Sequence, residues 1–176
     1  MHKSVPVITF VLDKTINRDN NMTKQELMRR AIALAVENVR QGGGPFGAVI
    51  ARNGEIVAEG VNRVTMQHDP TAHAEVQAIR NACTKLGTFD LSGCDIYSSC
   101  EPCPMCLGAI YWAHLSHLYF AGTKTDAAEA GFDDAFIYQE LPLPISERHL
   151  PTEAMMHDEA DAPFNAWRLN GDKVAY

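Results

Sequence analysis

Two short segments carry the chemistry of this sequence. His73-Ala74-Glu75 holds an imidazole and a carboxylate two residues apart, and Pro102-Cys103-Pro104-Met105-Cys106 holds two thiols three residues apart. A neutral imidazole and two thiolates are three good zinc ligands; structural zinc usually takes four protein ligands, whereas catalytic zinc takes three and keeps a position for water. Glu75 is then a carboxylate close to that water, with no other visible partner. A redox pair of thiols would need no His-x-Glu upstream, and a structural site would want a fourth Cys or His at similar spacing. Cys100 is the one candidate for that fourth ligand, on the strand end before Glu101-Pro102. Cys83 and Cys94 read as buried apolar fillers.

The chemistry expected of this set is hydrolytic. Glu75 would take a proton from the water, whose oxygen attacks a ring carbon bearing an exocyclic amine. It would hand the proton to a ring nitrogen and then help the amine leave as ammonia. One carboxylate can do both because it shuttles protons and does not ligate the metal.

These segments need elements to hold them. Thr23-Lys24-Gln25-Glu26 is a capping box that opens a helix. Leu27, Ala31, Ile32, Leu34 and Ala35 recur at helical spacing until Gly42-Gly43-Gly44 stops it. Phe46 to Arg52 reads as a strand, Asn53-Gly54 as a two-residue hairpin turn and Glu55 to Asn62 as the return strand. A loop through Val64 to His68 leads to a helix over Pro70 to Leu86, with Asp69 as N-cap, Pro70 as first helical residue and Gly87 as stop. Cys94 to Ser99 is a strand, Pro104 to His114 a helix and Leu118 to Gly122 a strand. Thr125 to Gly131 is a small helix or turn, and Ala162 to Leu169 a final helical segment.

This order predicts a three-layer α/β fold, with an antiparallel hairpin and later strands running parallel through crossover helices. His73 then lies in the first turn of its helix, and Cys103 and Cys106 share one face at the start of theirs. Two helix N-termini converge on one point, and their positive ends favour thiolate over thiol.

The bulk properties narrow the function further. The 176 residues fit one domain with a full core, and 46% hydrophobic and 21% charged residues are ordinary for a soluble globular protein. A net charge of −7 disfavours nucleic acid as the main partner. Five cysteines, an odd number without a signal peptide, predict a reducing compartment and hence the cytoplasm. No run approaches the roughly 20 apolar residues of a membrane helix. Residues 1–22 read as an N-terminal extension before a catalytic domain over 23–176. Within it Val5 to Leu12 is apolar, contains Pro6, and is a strand or an arm that packs on another subunit rather than a signal or an anchor.

Read together, the segments Gly43-Gly44-Pro45-Phe46-Gly47-Ala48-Val49-Ile50, Asp69-Pro70-Thr71-Ala72-His73-Ala74-Glu75 and Ser99-Cys100-Glu101-Pro102-Cys103-Pro104-Met105-Cys106 resemble the cytidine deaminase superfamily of zinc enzymes. Ala130-Gly131-Phe132-Asp133-Asp134, Phe136-Ile137-Tyr138 and Pro163-Phe164-x-Ala166-Trp167 are similar to its guanine-specific branch. The resemblance implies a cytidine-deaminase-like fold with a central five-stranded mixed sheet between helices. It implies one Zn²⁺ per subunit on His73, Cys103 and Cys106, with Glu75 as proton shuttle. It implies conversion of guanine to xanthine with release of ammonia, extending to related amino-substituted rings such as ammeline.

By position, the resemblance has Phe46 stack on the purine, Asn62 hydrogen-bond it and Asp134 contact its amino-bearing edge. Glu140 would be a second acid assisting ammonia release. The resemblance also implies a homodimer with exchanged C-terminal segments, in which Tyr176 reaches the partner's pocket. These residue types suit guanine, a flat neutral ring that needs an aromatic face and a few fixed polar partners rather than a charge clamp.

Two alternatives stand beside this one. Guanosine or tRNA adenosine deamination uses the same metal motif, but a tRNA enzyme expects a basic face. Here Glu147, Glu153, Asp158, Glu159 and Asp161 outnumber Arg148, Arg168 and Lys173 in the tail. A non-catalytic zinc-stabilised interaction module would have no use for a free carboxylate beside the metal.

Overall fold

The first helix is started by its own side chains. In the computed structural model, which describes residues 21–176, α1 runs Lys24–Arg40. The Thr23 N–H donates to Glu26 Oε2 at 2.7 Å and the Glu26 N–H donates to Thr23 Oγ1 at 3.3 Å, the reciprocal bonds of a capping box. Gly42, at φ +87°, turns the chain away after the C-cap Gln41. The expected arm at Val5 to Leu12 lies outside the described residues.

Strands β1 (Gly47–Arg52) and β2 (Glu55–Val61) form a hairpin. Its turn residues Asn53 and Gly54 both have positive φ, 52° and 82°, as a type I′ turn requires. A one-turn helix α2 (Val64–Gln67) follows, then α3 (Ala74–Leu86), which ends on left-handed Gly87. The start of α3 differs from the expectation of a helix from Pro70. Asp69 Oδ1 accepts hydrogen bonds from both the N–H and the hydroxyl of Thr71, at 2.8 and 2.7 Å. That local turn uses the carboxylate two residues on, and the helix starts only after His73, whose extended backbone caps it.

Strand β3 (Asp95–Cys100), α4 (Pro104–Trp112) and β4 (His117–Gly122) complete the centre. The sheet order is β2-β1-β3-β4, with β1 antiparallel to both neighbours and β3 parallel to β4 across the α4 crossover. The mixed sheet therefore has four strands among the described residues, not five. Beyond Gly122 the Thr123 capping box turns the chain into α5 (Lys124–Glu129), followed by α6 (Ala135–Glu140). Pro142, Pro144 and Pro151 then deny the next stretch ladder donors. A last helix, α7, covers Asp161–Leu169. No helix among the described residues is long and apolar enough to cross a membrane.

Strand alternation makes three layers of this order. Val49, Ala51 and Tyr97 point to one face and pack with Leu27 and Ala31 of α1. Ala48, Ile50 and Ile96 point to the other and pack with Ala74, Ala78, Ala82, Ile110 and Ala113. Each fully buried Leu or Ile here contributes about 1.5–3 kcal/mol of burial energy. The close fit of α3 on the sheet depends on Gly60, where a methyl would run into the Ala74 carbonyl and the Ala78 nitrogen. The start of α3 is thus pressed directly onto β2.

Candidate zinc and substrate site

Three side chains meet where α3 and α4 begin. His73 is the N-cap of α3 and Cys103 the N-cap of α4, and neither side chain makes a capping hydrogen bond. Both are therefore free to turn toward each other. Cys106, one turn into α4, is fully buried beside them. His73 Nδ1 lies 3.6 Å from Cys103 Sγ and 3.4 Å from Cys106 Sγ, and all three donor atoms lie within 4.8 Å of one another. With zinc bonds of about 2.05 Å to nitrogen and 2.3 Å to sulfur, a tetrahedral site requires an N···S edge of about 3.6 Å. The donor set and its spacing therefore fit zinc.

Without metal the three groups share protons among themselves. Cys103 is held down to about 4, chiefly by a hydrogen bond from Cys106 and secondly by His73. Cys106 keeps its proton because Cys103 accepts it. The bond to Cys103 also strengthens the hold of His73 on a proton. A dication displaces these protons as it binds. Cys100, the candidate fourth ligand, stands apart: its thiol points to the Thr123 carbonyl at 3.5 Å, and it is not among the clustered donors.

Glu75, in the first turn of α3, is 5% exposed, and burial pushes its carboxyl above the usual range. Ser98 Oγ donates to its Oε1 at 2.9 Å. Sequence reasoning missed Ser98, although a signal exists: it follows Ile96 on the face of β3 that packs under α3, so it is a hydroxyl in a core register.

His73, Cys103 and Glu75 line a cavity of about 580 Å³ that also receives Phe46, Asn62, Phe132 and Asp134. Phe132 meets Phe46 edge-on, with ring centroids 5.0 Å apart. Asn62, at the end of β2, is nearly buried, and its Oδ1 accepts from the Val64 N–H at 3.3 Å. Asp134 sits at the start of α6, where desolvation first and the charge of Cys103 second raise its carboxyl. Lys124 and Glu101, which the motifs did not single out, stand on the wall; the Lys124 N–H donates to Glu101 at 3.0 Å and its ammonium lies over the Tyr138 ring. A lone charge in a loop or at the start of a short exposed helix leaves no periodic trace by which to find it.

Two expected site residues lie elsewhere in this single chain. The Glu140 carboxylate accepts the His149 N–H at 2.7 Å, in a separate groove beside Phe136 and Leu141. Tyr176 packs its ring near Phe89 and Trp112, with centroids 6.4 and 5.9 Å away.

Residues 21–122 match the family described as the cytidine and deoxycytidylate deaminase zinc-binding region. The chain is 54% identical over 156 residues to guanine deaminase from Bacillus subtilis, an alignment covering 88% of this chain and 100% of that relative. A solved structure of guanine deaminase from B. subtilis is similar at a TM-score of 0.86 and 54% identity, over 88% of this chain and 99% of that one. Guanine deaminase from Nitrosomonas europaea is similar at a TM-score of 0.63 and 32% identity, over 71% of this chain and 69% of its own. The tRNA-specific adenosine deaminase from Aquifex aeolicus is 38% identical over 100 residues, 57% of this chain and 66% of that relative. The likeness to the tRNA enzyme covers little more than half of the chain, whereas the guanine deaminase from B. subtilis matches through the metal region and onward into the tail. The chain thus belongs to the zinc-binding cytidine and deoxycytidylate deaminase family, and within it stands with the guanine deaminases.

Proposed function

We propose that this protein deaminates guanine to xanthine and ammonia, with one zinc ion per subunit on His73, Cys103 and Cys106. The observation that carries this reading is one cavity lined by His73 and Cys103 of that donor cluster, by the buried Glu75, and by an aromatic ring, an amide and a carboxylate. Zinc, when bound, supplies a Lewis acid that lets water act as a nucleophile near neutral pH.

The chain's own residues do the rest. Ser98 ties Glu75 Oε1 and leaves Oε2 to carry two protons in turn, the first from the attacking water to the ring nitrogen and the second from the hydroxyl newly bonded to the ring carbon to the departing amine. Phe46, braced by Phe132, covers one face of the purine. Asn62 bonds the edge that carries both a carbonyl and a ring nitrogen, and Asp134 accepts from the amino-bearing edge.

The working unit is a homodimer with exchanged C-terminal segments. Helix α4 is apolar on every side, yet Tyr111 and Trp112 are exposed in a single chain, and so are Phe164, Trp167 and Leu169 of α7. Apolar surface of this extent is what a second copy would cover. In that assembly Tyr176 closes the partner's pocket and Glu140 assists ammonia release there. Five free cysteines support the cytoplasm as its compartment.

Ammonia release by zinc-loaded protein from guanine, guanosine, cytosine, adenine and ammeline tests the substrate. Guanine is expected to give the highest kcat/KM. Release from none of the five would favour a non-catalytic zinc module, and activity confined to adenosine in tRNA would replace the reading outright.

A further inference from the structure

We infer that Asn38, a residue of α1 outside the pocket, is the positioning residue for the purine-binding wall; the inference rests on the guanine reading above. Asn38 is 2% exposed. It continues the buried stripe of Leu27, Ala31 and Ala35, where an apolar residue would pack without loss. Its Oδ1 is buried with no hydrogen-bond partner, a state that disfavours folding. What asparagine gains over leucine here is its Nδ2, and both hydrogens of that nitrogen are used. One goes to the Gly44 carbonyl and one to the Asn62 carbonyl, each at 2.8 Å. The reversed amide would set its oxygen against two carbonyl oxygens, so this orientation is fixed by its partners.

The two carbonyls belong to a closed ring of hydrogen bonds. The Phe46 N–H donates to the Gly44 carbonyl at 2.8 Å, and the Asn62 N–H donates to the Phe46 carbonyl at 3.1 Å. Asn38 closes the ring from Asn62 back to Gly44. The two residues assigned to the face and edge of the purine are therefore bonded to one another directly, and a single buried amide ties the far sides of both together. The zinc ligands and Glu75 are held by α3, α4 and β3 instead. Loosening the ring should weaken substrate binding and spare the metal and the proton shuttle.

Gly43 offers a second way to disturb the same ring. A methyl there would meet only the Asn38 amide among its nearest neighbours, 2.7 Å from both Cγ and Oδ1. The variants are Asn38→Asp, which replaces the donor by an acceptor of the same shape, and Gly43→Ala, which pushes the amide aside. In zinc-loaded protein each should raise KM for guanine at least tenfold, lower kcat less than threefold and leave zinc content unchanged. In the substrate-free protein the Asn62 amide should exchange with solvent at least tenfold faster. The Gly43→Ala effect should vanish in an Asn38→Ala background, where there is room for the methyl.

A purely structural Asn38 would lower Tm without moving KM, so KM within twofold of wild type in both variants overturns the inference. Unchanged exchange at Asn62 overturns it whatever the substrate. If Asn38→Asp does not fold, Gly43→Ala and its double variant decide. Wild-type protein that fails to turn over guanine sinks the guanine reading instead, and the exchange measurement still decides the role of Asn38.

Discussion

The chain up to Ala113 and the chain beyond it are built differently. Every buried residue described lies at or before Ala113, and none follows it. The first region has two packed faces around its sheet and holds the zinc ligands, Glu75, Phe46 and Asn62. The second contributes the edge strand β4 and then a string of short helices that adds Phe132 and Asp134 to the pocket and leaves α7 exposed. The first is preorganised by its own core, as bond-making chemistry requires. The second adds its share of the pocket wall from short helices with no buried residue. Catalytic power and choice of substrate should therefore be separable.

The largest effect tests the first region alone. Glu75→Gln should keep zinc and lose about 10²- to 10⁴-fold in kcat, the range expected when a positioned proton carrier is removed. Near wild-type turnover by a zinc-loaded variant, with metal measured by elemental analysis, would take Glu75 out of the mechanism.

A smaller effect is expected from the second region. Removing residues 170–176 should raise KM for guanine by about tenfold, within the 1–3 kcal/mol that one lost apolar contact is worth, at constant zinc content. Unchanged kinetics would remove Tyr176 from the pocket and break the proposed division.

The smallest effect sets the two regions against each other through one motif. Thr23 and Thr123 both cap helices with the same reciprocal bonds. Thr23→Ala should cost about 1 kcal/mol and lower Tm by roughly 2–5 °C, because α1 is part of the core. Thr123→Ala should leave Tm unchanged and speed amide exchange only within α5. Equal Tm losses would mean that the two regions unfold as one.

How much of this was legible follows the same division. His73, Cys103 and Cys106 could be read because each pair of ligating segments opens a helix, so short spacing in sequence becomes a shared point in space. The precise start of α3 could not, because an aspartate before a proline can cap a helix or close a turn with the same oxygen, and Asp69 closes a turn. Asn38 was invisible because its partners are backbone carbonyls of Gly44 and Asn62, which have no residue type to recognise. A fifth strand came from resemblance rather than from any alternating segment after Gly122, and the four-strand sheet reflects that. Tyr176 was expected to act across an assembly and Glu140 within the site, and in one chain both stand apart from the pocket.

His73 and Cys103 have one more consequence as N-caps without capping bonds. Serine or aspartate at those positions would have closed each first turn locally. Here both side chains turn to one shared donor cluster instead, and zinc, when bound, would tie the two helix origins together. In zinc-starved conditions the protein would loosen first at its own reaction centre, and scarcity of the metal would be felt as softness there before it was felt as unfolding anywhere else.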